Sequence, residues 1–271
     1  MSFLASFAQR LPIIGMVHLL PLPGAPGWGG DMAAVRRRAL ADALTLVEEG
    51  VDGLLVENYG DLPFLKGPVG PETVAAMAVV VADVVQATKV PVGVNVLRND
   101  PIAALAVACA AGARFVRVNV HSGAVATDQG VIEGRAGDAL RYRRLLGVDG
   151  VALLADVAVK HGVPLGPQPI GEQARDAAYR GLADALVVTG PVTGMEPSVE
   201  DLRAVRRAVP DRPLLVGSGL SPDNALTLLA LADGAIVGTA LKRDGQTAAE
   251  VDRERVRRLM TAVREARAAS G

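Results

Sequence analysis

The chain has 271 residues with 28 Lys and Arg against 29 Asp and Glu, and a formal net charge of -1 excludes a cationic nucleic-acid binder as the default reading. Hydrophobic residues at 50% and charged residues at 21% can build a large core, which excludes disorder over most of the length, while aromatic residues at 3% leave few stacking platforms for single-stranded nucleic acid. Cys109 is the only cysteine, so an internal disulfide framework and a Cys-based zinc site are excluded and a reducing, cytoplasmic setting is expected.

In chain order, the segment MSFLASFAQRLP has no basic start and its apolar character is broken by Arg10, so no signal peptide is expected. A first strand is predicted over 12–18, ending in His18 and followed by the Pro-rich LPLPG, a rigid rim on which His18 either packs or acts as ligand, acid or base. Asp31 caps a helix over 32–49 that Gly50 ends, and a second strand over 53–57 ends in Glu57, followed by the polar cluster Asn58, Tyr59 and Asp61. A helix over 72–88 and a strand over 92–96 follow. Asp100 and Pro101 then open a helix over 102–111, ended by Gly112, before a strand over 115–120. The apolar runs 74–85 and 102–113 fall short of the roughly 18 to 20 uncharged residues that span a bilayer, so they are buried helices and no transmembrane segment is expected.

The pattern repeats in the second half. A helix over 137–146 ends at Gly147 and a strand over 151–156 ends in Asp156. A helix over 172–180 ends at Gly181, and a strand over 185–189 ends in Thr189. Ser198 caps a helix over 199–209. A strand over 214–217 and a helix over 224–231 opened by Ser221 and Pro222 precede a strand over 235–237 and a last helix over 252–269. Weak repetition (VDGLLVEN, GARFVRVN, ADALVVTG, ADGAIVGT) introduces the even-numbered strands alike. Eight βα units without a composition break predict one domain over 1–271, a closed TIM (β/α)8 barrel.

Residues two apart on a strand share a face. Val92, Val94 and Val96 then lie opposite Asn95, and Val116, Val118 and Val120 lie opposite Arg117, Asn119 and His121. Leu54 and Val56 face outward with Glu57 inward, and Asp156 and Thr189 also face inward, so these polar side chains converge at the strand C-terminal ends where barrel active sites sit. Glu57 and Asp156, helped by His121, Asn95 and Asn119, are the candidate catalytic set, as general acid and base or as ligands of a divalent ion. If so, their amide variants should melt near the wild-type temperature. Arg117 and Thr189 are candidate ligand contacts, although Arg117 could instead neutralise Glu57 or Asp156 inside the lumen.

The turns VGSGLSPDNA and ADGAIVGTALK after the last two strands form a candidate phosphate site at Gly217, Ser218, Gly219, Gly238 and Thr239, with free amides, no Cβ and a helix starting at once. Lys242 lies too far into the following turn to be needed. The lysines Lys66, Lys89, Lys160 and Lys242 all fall outside the predicted strands, which disfavours Schiff-base chemistry, and no strong flavin signal is present. Lys160 and His161 read as solvated loop charges within reach of an anion.

These motifs, with IIGMVHLLPLPGAPGWGGD, VDGLLVENYGDLPF, VGVNVLRND and FVRVNVHSG, make the chain resemble the BtpA family, which includes the SgcQ-like proteins, from Pro12 to Lys242. The resemblance implies a TIM barrel of the ribulose-phosphate-binding type. It supplies no catalytic mechanism. Glu57, Asp156 and His121 favour acid–base or metal-assisted chemistry on a phosphorylated sugar or nucleoside-like metabolite, as isomerase, lyase or hydrolase. The family name suggests the alternative, a non-catalytic stability or assembly factor for a membrane complex such as photosystem I. Homo-oligomerisation stays open.

Overall fold

Near-continuous apolar runs such as GLLV, ALVV and GAIV are buried along their whole length, as parallel strands covered by helices require. The computed structural model describes residues 3–269; the outermost residues of the expected 1–271 domain, Met1 and Ser2 of the N-terminal segment among them, lie outside the described residues. Eight parallel strands form the barrel: β1 (Ile13–His18), β2 (Gly53–Glu57), β3 (Val92–Asn95), β4 (Phe115–Val118), β5 (Ala152–Val157), β6 (Ala185–Val188), β7 (Leu214–Val216) and β8 (Gly234–Val237). Closure is made by β1, where Gly15 pairs with Leu54 of β2 on one side and with Val237 of β8 on the other. Several strands end one or two residues before the predicted bounds, which leaves Asn119 and Thr189 just past the ladder.

The helices are α1 (Met32–Glu48), α2 (Pro71–Ala87), α3 (Pro101–Ala111), α4 (Ala136–Leu145), α5 (Ile170–Arg175), α6 (Val199–Ala208), α7 (Ala225–Leu229) and α8 (Arg253–Ala269). Asp31, Asp100 and Ser198 cap α1, α3 and α6 by accepting from the amides of Ala34, Ala103 and Asp201. Gly50, Gly112 and Gly147 take the predicted left-handed conformation, but Gly181 does not. There α5 runs into a π turn over Asp176–Arg180, closed by Gly181 N donating to Asp176 O at 2.7 Å, and the left-handed residue moves one place on to Leu182. Ser221 does not cap α7. Its own amide donates to Asn224 Oδ1, and α7 starts only at Ala225.

Two apolar layers follow from the alternation. Leu54, Val56, Val92, Val94, Val116, Val118, Leu186 and Val188 pack outward under the helices. Ile14, Met16, Leu55, Leu154, Val187, Leu215 and Ile236 fill the lumen's lower part, which an aromatic plug closes: Phe115 meets Phe3 edge-on at 5.5 Å, and Phe3 meets Phe7 at 5.2 Å. Gly93 makes room for this plug, since a Cβ there would fall 2.1 Å from the Phe115 ring. The upper part of the lumen is polar.

The loops after β4 and β5 also form a small antiparallel sheet of Ala124–Thr127, Gly130–Glu133 and Gly162–Pro164, which the sequence reading leaves as loop. Its hairpin tip, Asp128 and Gln129, reaches the barrel mouth. Among the described residues no helix is long and apolar enough to cross a membrane.

Candidate functional site

Arg117 and Asp156 form the floor of the mouth. Arg117 Nε donates to Asp156 Oδ1 at 2.8 Å and Nη2 to Oδ2 at 3.0 Å, with both side chains excluded from solvent. Asn119 Nδ2 donates to Asp156 Oδ2 at 2.9 Å, and Asn95 Nδ2 donates to Asn119 Oδ1 and to the Arg117 carbonyl, both at 3.1 Å. Three N–H donors thus tie down the Asp156 carboxylate, which serves as counter-ion to a buried guanidinium. Asn95 and Asn119 hold that pair in place. The donor set does not fit a divalent ion at Glu57 and Asp156: among the described residues no three His, Cys, Asp or Glu side chains are grouped to hold one.

Glu57 is different. It is buried at the end of β2, beside Asn95 in register, and among the described residues makes no short hydrogen bond of the kind that ties Asp156; His18 Nε2 stands 3.7 Å from its Oε1. Burial pushes its carboxyl above the ordinary value of 4.5, opposed by the charges of Lys160 and Arg117. His18 is held the other way. Burial, and then the charge of Lys242, lower it well below 6.5, and its Nδ1 donates to the Thr247 carbonyl at 3.1 Å, so the neutral ring turns the Nε2 lone pair towards Glu57. Tyr59 lies against His18, ring centroids 4.8 Å apart.

The Glu57 shift has a measurable sign. A carboxyl whose folded pKa lies above its unfolded value costs stability once pH rises past the unfolded value. Glu57→Gln should therefore melt above wild type at neutral pH, with the difference closing as pH falls below 4.5, where Glu57 is protonated in both states. A pH-independent difference, or a variant that melts lower at pH 7, would remove the desolvated carboxylate from the account.

Glu57, His18, Tyr59, Arg117 and Lys160 line a cavity of about 170 Å³ whose opposite wall is Gly217, Ser218, Gly219, Gly238 and Thr239. A second chamber of about 460 Å³ adjoins it, sharing Glu57, Tyr59, Lys160 and Thr193 and adding Arg98, Asn119, Asp128 and the apolar Leu62, Phe64 and Leu97. The glycine turns do part of what the sequence predicts. Gly238 brings the backbone against His18, since a Cβ there would lie 3.0 Å from His18 Cε1, and Gly219 has φ +72 with its Cα face against the backbone of Glu196. The amides of Gly219, Leu220, Thr239 and Ala240 donate to no backbone carbonyl among the described residues. The predicted helix starts are missing, because α7 begins six residues after Gly219 and only a short 3-10 turn (Thr239–Leu241) follows β8. Gly217 abuts Val187 and Thr189, and the Ser218 hydroxyl is spent on the loop, accepting from Gly190 N and donating to Met195 O.

Two further expectations, for His121 and Thr189, are corrected. His121 is buried away from the mouth, with Nε2 on the Gly181 carbonyl at 2.8 Å, because the chain leaves β4 at Val118 and the alternation that would bring His121 inward stops there. Thr189 lines neither mouth cavity, and its hydroxyl donates to Ala158 O at 3.3 Å. Asn58 and Asp61 clamp loops: Asn58 Oδ1 accepts from Leu97 N and Asp61 Oδ1 from Leu22 N. Lys242 is no bystander. It is fully buried and pairs with Asp42 at 2.9 Å. Lys160 and Arg98 are the mouth residues that the sequence reading undervalues. An Arg directly before the Asn99–Asp100 cap and a Lys shortly after an inward-facing Asp were the available signals.

Eight parallel strands around a plugged lumen, with a polar cavity at their C-terminal ends, define a TIM barrel with its mouth where this fold builds ligand sites. The chain belongs to the BtpA family, whose model matches residues 9–265. Among its relatives are the photosystem I biogenesis protein BtpA of Synechocystis sp., 46% identical over 265 residues (98% of this chain, 92% of that one), and the putative sgc region protein SgcQ of Escherichia coli, 34% identical over 253 residues (93% of each). Solved structures share the fold: native KDPGal at TM-score 0.60 and 16% identity (98% of both chains), and phosphoribosyl anthranilate isomerase from Thermus thermophilus at 0.56 and 13% (94% and 98%).

Proposed function

We propose that this barrel is an enzyme that anchors a phosphorylated small molecule, a sugar or nucleoside-like metabolite, on the turns after β7 and β8 and moves protons on it with Glu57 and His18. The observation that carries this reading is the single cavity in which the glycine turns face Glu57, His18, Lys160 and Arg117. The amides of Gly219, Leu220, Thr239 and Ala240, without a protein acceptor among the described residues, are suited to phosphate oxygens, and Lys160 supplies positive charge, while that of Arg117 is matched by Asp156. The rest of the ligand extends towards the larger chamber, whose mixture of Leu62, Phe64 and Arg98 suits a part-apolar, part-polar body. Glu57, whose carboxyl burial raises above its ordinary value, can take and return a proton, and the Nε2 lone pair of neutral His18 can accept one. The name of phosphoribosyl anthranilate isomerase, a structural neighbour, agrees with a phosphorylated substrate.

The test is thermal. At about 100 times its dissociation constant a bound anion stabilises the native state by about 2.7 kcal/mol, so inorganic phosphate should raise the melting temperature above an ionic-strength-matched chloride control. Gly238→Asp places a carboxylate in the cradle and should remove the gain while melting cooperatively in chloride. Equal wild-type melting in both salts, or an undiminished gain in the variant, would leave these glycines as turn residues only.

A further inference from the structure

Acid–base chemistry by Glu57 and His18 gives Lys160 no part beyond its charge. The side chain stands where the two mouth cavities meet and lines both. Its position is built. Three residues past β5, the chain is turned over the mouth by left-handed Ala158 and His161 (φ 54 and 56), and this turn is pinned from neighbouring loops. Arg98 Nη2 donates to Lys160 O at 2.7 Å, His161 N donates to Pro191 O at 3.2 Å, and the Thr189 hydroxyl donates to Ala158 O at 3.3 Å. A lysine with a structural duty looks different in this protein: Lys242 is locked to Asp42. Lys160 forms no ion pair among the described residues. Burial, and then the charge of Arg117, favour its neutral amine, opposed by Glu57 and Asp156.

We infer that Lys160 is a covalent amine, condensing with the carbonyl carbon of a phosphorylated aldehyde or ketone whose phosphate rests on the glycine turns. The inference deepens the phosphate reading and rests on it. The lysine ammonium gives one proton to the Glu57 carboxylate, and the free Nζ attacks the carbonyl carbon. A proton passes from nitrogen to the new alkoxide, giving a carbinolamine. Glu57 returns its proton to the carbinolamine hydroxyl, the C–O bond breaks, water leaves, and a protonated imine remains on Lys160. Ammonium and carbonyl have become iminium and water, with Glu57 again a carboxylate. No oxidant is consumed, and no metal is needed to polarise the carbonyl, because the iminium carries the positive charge. The same junction keeps Glu57 beside the imine, placed to remove a proton from the adjacent carbon.

The experiment traps the imine. The full-length protein is incubated with dihydroxyacetone phosphate, as the smallest phosphorylated ketone, and sodium cyanoborohydride, then digested and mapped by mass. Holding the amine and the carbonyl in one cavity gives a far higher effective molarity than encounter in solution, so the reduced adduct should appear on Lys160 at about ten times or more the yield on Lys66 or Lys89. It should vanish in Lys160→Arg and fall when inorganic phosphate competes. An adduct spread evenly over the lysines, or an undiminished total yield in Lys160→Arg, overturns the inference. Mapping of the wild-type chain decides the matter even if that variant folds poorly. Melting in phosphate separates the two ideas: stabilisation without a Lys160 adduct keeps the phosphate site and removes the covalent amine, whereas a Lys160 adduct without stabilisation removes the anchor.

Discussion

Asp156→Asn should unfold this protein far below the wild-type temperature, and far below Glu57→Gln. The substitution preserves shape but leaves the Arg117 guanidinium, 2% exposed, without a counter-ion in the lumen. Removing one partner of a buried ion pair typically costs about 3–5 kcal/mol, because the remaining charge stays desolvated and uncompensated. With about 2–4 °C lost per kcal/mol for a chain somewhat smaller than this one, the melting temperature should fall by roughly 10 °C. Glu57 cannot take over, since it makes no hydrogen bond to Arg117 among the described residues. The sequence predicts near-wild-type melting for both amide variants; the structure separates them, with Asp156→Asn melting far lower than wild type and Glu57→Gln higher at neutral pH. Replacing both members of the pair by apolar residues, Arg117→Met with Asp156→Leu, should recover much of the loss, as emptying a buried pair of charge often does. A single variant within about 1 kcal/mol of wild type in a denaturant titration would mean that the pair does not sustain the fold and would return Asp156 to the list of reacting groups.

Lys242→Met should be nearly as damaging, although Lys242 touches no ligand in the phosphate reading. Its ammonium is fully buried 2.9 Å from Asp42 Oδ2, whose other oxygen accepts from Val251 N at 2.8 Å. The contact ties α1 to the segment that follows the closing strand β8, so its loss is felt where the barrel is sealed. Arg38, 3.3 Å from the same carboxylate and partly exposed, retains some compensation, which places the cost near the lower end, about 3 kcal/mol. The double variant Asp42→Asn with Lys242→Met should regain stability over Lys242→Met alone, because the Asn carbonyl still accepts from Val251 N and no buried charge remains. The shift that phosphate produces should persist in Lys242→Met. If the single variant melts like wild type but loses the phosphate effect, Lys242 belongs to the anion site and its pairing with Asp42 is incidental.

Much of the barrel was legible from local chemistry. The alternation of Leu54 and Val56 against Leu55 and Glu57, and of Val116 and Val118 against Arg117, needs only the two-residue period of a strand, and the two apolar layers of the structure follow it. Asp31, Asp100 and Ser198 cap because their oxygens reach an amide three residues on, a distance set by the helix itself. The glycine turns and the inward Glu57 belong to the same local class of signal.

What separated Glu57 from Asp156 was not local. Their strands read alike, but the register of β4 on β5 sets Arg117 opposite Leu154, so that its long side chain rises to Asp156 two residues further up, and Glu57 is left with His18 at 3.7 Å as its near neighbour. The same holds for the histidines and lysines. His121 falls outside because β4 ends at Val118, and Lys160 falls inside because two left-handed residues and an Arg98 hydrogen bond fold its loop over the mouth. The sequence by itself determined the eight βα units, which strand residues face the lumen and where the glycine turns lie, because strand and helix periods and caps act over a few residues. Only the tertiary structure decided which polar groups satisfy one another and which are left free to react, because that depends on contacts between residues dozens of positions apart, brought together by barrel closure and by loops whose turns no periodic pattern announces.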